Sequence, residues 1–352
     1  MRILHILNHV KQVGNGIVNV AVDLACLQAS SGHNVAVASA GGEYEKLLAD
    51  YRIEHFQLNQ ARQPLNLIKA AGNYRAIAQA FQPDIVHAHM MTGIVLAKGL
   101  KGNLSYGLVS TVHNEFQRSA VLMGWADLVI AVSQAVAQSM IKRGIPEKKL
   151  RVVSNGTLGS PRTRPLKDYQ PLELKHPAIA TVAGMYQRKG ITELIDAFAQ
   201  IAPAFPKAHL YLIGNGPDKP KFEAQAQQTS TADRIHFEGF QSEPQRYLLA
   251  TDIFILASHR DPSPLVIPEA REAGCAIIAS NVDGIPEALD GGLVGILVPP
   301  LDSNALATAL KQLLSNPDAL QQWQHKAQQN LQWLTVSRVN QETLAVYREL
   351  NN

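Results

Sequence analysis

The chain has 352 residues, 46% of them hydrophobic, and a formal net charge of +3. This length favours two domains, and this composition excludes an intrinsically disordered or collagen-like chain. No stretch approaches the roughly 18 uninterrupted apolar residues of a membrane-spanning helix, and the N-terminus lacks the apolar core and cleavage site of a signal peptide, so we expect a cytoplasmic protein.

In the first half of the chain, short apolar runs alternate with amphipathic stretches of helical length. This rhythm predicts β-α units and a parallel sheet. The predicted strands are Arg2–Leu7, Asn34–Ser39, His55–Leu58, Asp84–His89, Gly107–His113, Leu128–Ser133 and Leu150–Asn155. The predicted helices include Ile17–Ser31, Leu65–Phe81 and Ser133–Arg143. We therefore predict an N-terminal Rossmann-like domain over residues 1–165.

The loop between the first predicted strand and the first predicted helix contains Gly14, Asn15 and Gly16. Glycine at such a place lets backbone N–H groups approach a phosphate at the helix N-terminus. A tight strand-to-helix turn explains the same residues without a ligand. The sequence leaves both interpretations open.

Two later strands of this half end in histidines, first His87 and His89, then His113. A neutral imidazole can donate one hydrogen bond to a sugar hydroxyl. Histidines with satisfied structural hydrogen bonds are the alternative, which we favour for His87 and His89 but not for His113. No His, Cys, Asp or Glu residues have the spacing of metal ligands, so we predict neither a metal ion nor a cofactor.

The segment Gly159–Pro177 is rich in proline and has no clear periodicity, which is typical of a linker between domains. Charge changes sign across it. Residues 1–170 hold 18 Lys and Arg against 10 Asp and Glu, whereas residues 171–352 hold 14 against 19. The basic half suggests an anionic partner such as a membrane surface, a lipid phosphate or an acidic glycan. A solvated surface with excess lysine is the alternative.

The second half repeats the β-α rhythm and predicts a second Rossmann-like domain over residues 172–334. Its predicted strands are Ala178–Ala183, His209–Gly214, Ile235–Phe240, Ile253–Ser258, Cys275–Ser280 and Gly295–Pro299. Its predicted helices include Ile191–Phe205, Lys219–Gln228 and Asn304–Ser315. The Gln-rich tail from Pro317 is also predicted to be helical, with an apolar stripe along one side.

Basic and acidic residues follow the strands of this half. Arg188 and Lys189 come after the first strand, and Asp261 comes after the fourth. Eight residues beyond Asp261, Glu269 falls in a predicted helix start. Carboxylates can accept paired hydrogen bonds from sugar or ribose hydroxyls, and open α/β sheets bind ligands beyond the carboxyl ends of their strands. Acidic side chains that merely favour a helix dipole are the alternative.

The segment from Asp261 to Pro300 resembles the donor-sugar region of family 4 (group 1) glycosyltransferases. Those enzymes carry a Glu, seven residues, a second Glu, and then a Gly-Ile-Pro-Glu turn. Asp261 stands for the first Glu, Glu269 matches the second, and residues 284–287 match the turn. The resemblance covers the whole chain and implies a GT-B fold, in which two domains face a central cleft and a last helix, here about residues 335–352, packs back onto the first domain.

The same resemblance implies the roles of individual residues. Asp261, Lys189 and His113 would be catalytic. The substrate-binding residues would be Gly14, Asn15, Gly16, Arg188, Gly214, Leu265, Val266 and Glu269. Three departures stand out. The family arginine ahead of Lys189 is missing, Asp261 is shorter than Glu, and Pro264 replaces a glycine that offers an N–H.

We therefore predict a retaining, metal-independent transferase of the hexosyltransferase type. It would move a sugar from a UDP- or GDP-linked donor to a glycan or lipid-linked acceptor in polysaccharide or lipopolysaccharide synthesis. The basic first half would touch the inner face of the cell membrane, and no nucleic acid would bind. Two alternatives remain open, namely a nucleotide-sugar epimerase of GT-B fold and a non-catalytic GT-B binding subunit.

Overall fold

The structure is a computed structural model that describes residues 1–61 and 63–350. The chain divides into two compact units. The first unit contains Met1–Thr163 and the C-terminal segment from Thr335, and the second unit contains Arg164–Leu334. The last two residues of the helix predicted over about 335–352 lie outside the described residues.

Each unit is built on one parallel sheet. The strands of the first unit are β1 (Arg2–Ile6), β2 (Asn34–Ser39), β3 (Glu54–Gln57), β4 (Ile85–Ala88), β5 (Gly107–Val112), β6 (Leu128–Ala131) and β7 (Leu150–Val152). Those of the second unit are β8 (Ala178–Val182), β9 (His209–Ile213), β10 (Ile235–Gly239), β11 (Ile253–Leu256), β12 (Ala276–Ser280) and β13 (Ile296–Val298). These sheets confirm the predicted α/β fold with two Rossmann-like domains.

Helices connect the strands and cover the sheets. In chain order they are α1 (Gly16–Ser30), α2 (Glu45–Asp50), α3 (Pro64–Phe81), α4 (Met91–Gly99), α5 (Gln134–Lys142), α6 (Ile191–Ile201), α7 (Lys219–Gln227), α8 (Gln245–Leu248), α9 (Val266–Glu272), α10 (Ile285–Ala288), α11 (Ser303–Leu314), α12 (Pro317–Ala327) and α13 (Val336–Arg348). Within the described residues, no helix combines the length and the apolar character needed to cross a bilayer.

The two sheets have the same strand order. The first runs β3-β2-β1-β4-β5-β6-β7, and the second runs β10-β9-β8-β11-β12-β13. In both, the order reverses direction between two neighbouring strands, β1 and β4 in the first unit and β8 and β11 in the second. Because ligands of open α/β sheets bind at such a switch point, these two edges are the places to look for a site.

Burial on both faces explains why these segments form parallel strands. Every residue of β4, β9 and β11 is buried, as expected for strands covered by helices on each side. The helices supply the matching apolar faces. In the second unit, for example, Leu194, Ile195 and Phe198 of α6 are fully buried in the core of the sheet. The sheets are therefore rigid supports for the loops at their carboxyl ends.

Candidate functional site

At the switch point of the second unit, the loop after β8 meets the loop after β11. The Lys189 ammonium lies 2.5 Å from Oδ2 of Asp261, and the two side chains are 16% and 8% exposed. Ser258 donates a hydrogen bond to the same carboxylate oxygen over 3.3 Å. The structure thus joins two predicted site residues, 72 positions apart, in one nearly buried ion pair.

Backbone contacts hold the two loops together. The amide of His259 donates to the carbonyl of Arg188 over 2.8 Å. Gly190 has a φ of 68°, and a Cβ placed on it would lie 1.8 Å from the carbonyl oxygen of Ala257. Only glycine permits this approach, because any side chain would collide with backbone. The Lys-Gly pair therefore has a structural reason as well as a charge.

The Asp261 loop is fixed from the other side by Asp283, which the sequence analysis missed. The Asp283 carboxylate accepts hydrogen bonds from the Asp261 amide over 2.9 Å and from Nε of Arg260 over 2.8 Å. The amide of Gly284 donates to the Asp261 carbonyl over 3.2 Å. The pair Asp283-Gly284 was the sequence signal that could have identified this turn. Asp283 has a φ of 46°, which few residue types adopt readily.

The loop after β9 lies beside the loop after β8. The amide of Met185 donates to the carbonyl of Asn215 over 3.0 Å, and the amide of Gln187 donates to Oδ2 of Asp218 over 2.8 Å. Gly214 has a φ of 140°, and a Cβ there would lie 1.9 Å from the carbonyl oxygen of Ala183. Predicted residue Gly214 therefore packs directly against the loop that carries Lys189.

The remaining predicted residues of this unit lie around the same loops. Arg188 is exposed, and its guanidinium lies 5.7 Å from the centre of the Tyr186 ring. Leu265 precedes helix α9, Val266 is its first residue, and Glu269 is the acidic residue of its first turn. Glu269 is partly exposed. The structure gives these residues a common sheet edge with Lys189 and Asp261.

In the first unit, the loop after β1 forms the N-terminus of α1. Gly14 and Gly16 are exposed, and Gly14 has a φ of 65°. Asn15 is the N-cap of the helix, because its Oδ1 accepts a hydrogen bond from the Ile17 amide over 3.0 Å. Asn15 thus has a structural role as the cap of this helix.

His113 follows β5 and is partly exposed. Its Nε2 lies 3.1 Å from Nδ1 of His89, whose own Nε2 lies 3.0 Å from Nδ1 of His5. His87 lies beside them, with 4.1 Å between its ring centre and that of His89. The structure therefore brings the predicted residue His113 into a cluster of four histidines, of which the sequence analysis missed His5.

This cluster is uncharged at neutral pH. Burial lowers the pKa of His5 to about 4 and that of His113 to about 3. Burial also holds the pKa values of His87 and His89 well below their usual range. Ligand atoms of His5, His87 and His89 lie within 4.8 Å of one another, close enough for one cation to reach all three. Their sequence spacing gave no sign of this, because His5 comes from a different strand.

Comparison with protein families gives two matches that together account for most of the chain. Residues 14–157 match the model of Glycosyltransferase Family 4, and residues 165–330 match the model of Glycosyl transferases group 1. The first match contains the end of the loop after β1, from Gly14, and the histidine cluster other than His5. The second contains the Lys189 and Asp261 loops.

Individual relatives are distant. The lipopolysaccharide core biosynthesis glycosyltransferase LpsE of Rhizobium meliloti is 25% identical over 192 residues, which are 54% of this chain and 54% of LpsE. A glycogen synthase of Mycobacterium tuberculosis is 25% identical over 294 residues, covering 74% of this chain and 68% of that protein. The chain thus spans about half the length of LpsE and about two thirds of the glycogen synthase.

Among solved structures, Anabaena HepE in complex with UDP-glucose superimposes with a TM-score of 0.84. The superposition covers 99% of this chain and 100% of HepE, at 20% sequence identity. At that identity, the similarity concerns the fold.

Proposed function

The chain belongs to the group 1 (family 4) glycosyltransferases of the GT-B fold, and from that membership we propose that it moves a sugar from a nucleotide-diphosphate donor to a glycan or lipid-linked acceptor. We further propose that the reaction retains the anomeric configuration and requires no metal ion. One observation carries the proposal, namely the Lys189–Asp261 pair at the switch point of the second unit. It joins a cation suited to phosphate and a carboxylate suited to sugar hydroxyls.

The charges of the second unit favour a diphosphate leaving group. A departing nucleoside diphosphate carries about two or more negative charges, and preorganised cations stabilise such charge as the bond breaks. Lys189 and Arg188 would supply two positive charges, with Arg188 in place of the missing family arginine. On donor binding, the phosphate would replace Asp261 as the partner of Lys189. Asp261 would then accept hydrogen bonds from the sugar.

Other residues of this edge would bind the rest of the donor. We assign the ribose diol to Glu269, because a carboxylate can accept two hydrogen bonds from neighbouring hydroxyls. Backbone groups of Gly214, Leu265 and Val266 would line the nucleotide and phosphate positions. In the first unit, His113 and the Gly14–Gly16 loop would contact substrate hydroxyls. By analogy with the family, the leaving phosphate would take the acceptor proton on the same face of the sugar.

The relatives support a choice of nucleotide and acceptor. The solved complex of HepE contains UDP-glucose, and LpsE is a lipopolysaccharide core enzyme. We therefore propose UDP as the nucleotide and a lipopolysaccharide or polysaccharide intermediate as the acceptor. A thermal-shift screen against UDP-, GDP- and ADP-sugars tests the first part, and stabilisation by a GDP-sugar alone would replace UDP in the proposal.

The activity itself is tested by incubating the full chain with a labelled donor and a lipid-linked glycan acceptor, with and without EDTA. NMR of the product gives its anomeric configuration. Lys189→Ala should lower turnover at least about tenfold, because a preorganised charge at the leaving group is lost. The matched control is Lys207→Ala, an exposed lysine of the same unit. Epimerisation of the donor without transfer would contradict the transferase activity. A product of inverted configuration would contradict retention, and inhibition by EDTA would contradict independence of metal ions.

The ribose assignment has a separate test. Glu269→Gln removes the charge and keeps the shape of the side chain, so it should weaken binding of the free nucleoside diphosphate in calorimetry. Glu272→Gln, a partly exposed residue of the same helix, is the control. Equal affinities of wild type and Glu269→Gln would remove Glu269 from the ribose. Intact nucleotide binding with no transfer to any acceptor would favour a non-catalytic subunit.

A lipid-linked acceptor suggests that the first unit meets a membrane surface. Helix α3 exposes Leu65 and Ile68, at 77% and 70%, beside the exposed residues Lys69 and Arg75. Apolar and basic side chains on one exposed helix face are typical of interfacial binding. The double variant Leu65→Ser, Ile68→Ser should lose sedimentation with anionic vesicles. Leu293→Ser, a residue of the second unit that is 74% exposed, is the control. Equal sedimentation of all three proteins would reject membrane contact through α3.

A further inference from the structure

The four clustered histidines of the first unit belong to one continuous line of hydrogen bonds. Nδ1 of His5 lies 3.0 Å from Nε2 of His89, and Nδ1 of His89 lies 3.1 Å from Nε2 of His113. His5 is fully buried and His89 is 2% exposed, whereas His113 is partly exposed. The line therefore runs from the core of the unit to a side chain that a ligand can reach.

The line continues inward through Gln28 of helix α1 and Tyr347 of helix α13. Oε1 of Gln28 lies 2.8 Å from Nε2 of His5, and Nε2 of Gln28 lies 3.4 Å from the Tyr347 hydroxyl. That hydroxyl lies 2.6 Å from Nδ1 of His87, and Nε2 of His87 lies 2.7 Å from Oγ1 of Thr111. Every ring nitrogen of His5, His87 and His89 thus has a protein partner.

Each neutral imidazole carries a single N–H, so it donates at one nitrogen and accepts at the other. Gln28 turns its carbonyl oxygen toward His5, so Nε2 of His5 must donate, and Nδ1 of His5 must accept from Nε2 of His89. Nδ1 of His89 then accepts from Nε2 of His113. Nδ1 of His113 is therefore unprotonated and carries a lone pair.

The other arm follows from the same amide. The NH₂ group of Gln28 donates to the Tyr347 hydroxyl, which then donates to Nδ1 of His87. Nε2 of His87 donates in turn to Thr111. Turning the Gln28 amide around would reverse every bond in both arms. A partial reversal would place two N–H groups or two lone pairs face to face, and in a buried site each such mismatch is costly.

We propose that Gln28 is a positioning residue for substrate recognition, because its amide sets the tautomer of His113 through His5 and His89. His113 would then present an acceptor at Nδ1 and select a ligand that offers a hydroxyl. This inference rests on the proposed contact of His113 with substrate. It also differs from the hydrogen-bond donor role that the sequence analysis gave to His113.

A cation in this cluster would require a different arrangement of protons. Three ring nitrogens would have to turn lone pairs toward one point, whereas His5 and His89 share a proton between their facing nitrogens. Elemental analysis of the purified full chain therefore belongs to the test. A transition metal bound at one equivalent, and lost in a His5→Asn variant, would overturn the proposal.

The tautomers are measured by NMR. In protein labelled with ¹⁵N-histidine, long-range proton–nitrogen spectra at neutral pH distinguish a nitrogen that carries a proton from one that carries a lone pair. The result expected for His113 is a proton on Nε2 and a lone pair on Nδ1. The spectrum of a His113→Phe variant assigns the signals. A proton on Nδ1, or on both nitrogens, would overturn the proposal.

Two variants separate the role of Gln28 from general damage to the core. Gln28→Met keeps the length of the side chain but removes its hydrogen bonds, so His113 should become a mixture of both tautomers. Tyr347→Phe removes both bonds of the hydroxyl, to Gln28 and to His87, but leaves the Gln28–His5 bond in place, so His113 should keep its wild-type tautomer. The His209–His236 pair of the second unit, with 3.0 Å between its ring nitrogens, is the internal control. A His113 signal that Gln28→Met leaves unchanged would refute the proposal.

Turnover distinguishes a failure of the Gln28 proposal from a failure of the proposed function. Gln28→Met should lower kcat/KM about tenfold, which is the effect of one misdirected hydrogen bond, and Tyr347→Phe should lower it less. If the wild-type chain shows the predicted tautomers but transfers no sugar, the proposed function is refuted, whereas the control of the His113 tautomer by Gln28 is not. If the wild-type protein is active and Gln28→Met has the same rate, the role of Gln28 in substrate recognition is refuted.

Discussion

The two units have the same strand order but different chemistry at the switch point. In the second unit, the edge carries the Lys189–Asp261 ion pair, whose charges partly stabilise each other. In the first unit, the corresponding edge carries histidines such as His5 and His89, which burial keeps uncharged. The same topology thus provides an electrostatic edge and a hydrogen-bonding edge. A reaction that expels a diphosphate would need the first, and recognition of sugar hydroxyls can use the second.

The largest expected effect concerns the charged edge. Asp261→Asn keeps the shape of the side chain but removes its charge, and it should lower kcat/KM about 100-fold, as does the loss of a group that acts mainly in the transition state. The control is Asp50→Asn, which breaks the exposed ion pair with Lys46, where the side chains are 58% and 85% exposed. Equal rates for Asp261→Asn and wild type would show that the ion pair only holds the loops together.

The second effect concerns acid stability and should be larger in the first unit, although burial also lowers the pKa values of His209 and His236 in the second unit. The pKa of His5 is about 4 in the folded chain and ordinarily 6.5, so the unfolded chain binds more protons between these values. The stability that depends on neutral His5 is therefore fully present above about pH 6.5 and is lost as the pH falls toward 4. His5 alone should cost on the order of 2 kcal/mol between about pH 7 and about pH 5.

Hydrogen exchange measured by mass spectrometry can assign this loss to a unit. Peptides of β1 and β4 should exchange faster at about pH 5, while peptides of β8 and β11 should change little. His5→Asn should show a smaller change with pH than wild type, whatever its stability at neutral pH. Faster exchange in both units by the same factor would contradict the difference between the two edges.

The fold was predictable because its signals are local. The predicted strand Asn34–Ser39 has the observed bounds, and other strands such as β5 end one residue before the prediction. The additional residue in the prediction is His113, which follows the strand and joins the histidine cluster. Apolar runs predict where a strand lies, but the point at which its last polar residue turns into a loop depends on contacts from other strands.

The site was only partly predictable for the same reason. Lys189 and Asp261 could be named, yet their contact depends on Gly190 lying against Ala257, which no spacing reveals. Asp283 and Gln28 were missed because each acts through another residue, at a distance of 22 and 23 positions from Asp261 and His5. Such supporting side chains have no motif of their own, and only the packed sheets bring them into position.

A smaller effect concerns the hydrogen-bonding edge. His113→Ala should lower kcat/KM about tenfold, less than Asp261→Asn, because a neutral hydrogen bond contributes less than a charge. Since burial lowers the pKa of His113 to about 3, the wild-type rate should show no inflection from this residue between about pH 5 and about pH 8. The control is His325→Ala, an exposed histidine of helix α12. A loss of kcat/KM in His113→Ala as large as that in Asp261→Asn would contradict the assignment of His113 to a neutral hydrogen bond.

The smallest effect separates structure from binding at Asn15. Asn15→Ala removes the N-cap of α1 and should cost about 1 kcal/mol of unfolding free energy, while Asn15→Ser should restore most of it because a serine hydroxyl can accept the same bond. Ser133→Ala, which removes the N-cap of α5, is the matched control within the same unit. Denaturant titration measures the stabilities. If Asn15→Ser is as stable as wild type but has a higher KM, the amide of Asn15 also binds substrate. If its KM is that of wild type, the residue only caps the helix, and the substrate contacts proposed for this loop are limited to Gly14 and Gly16.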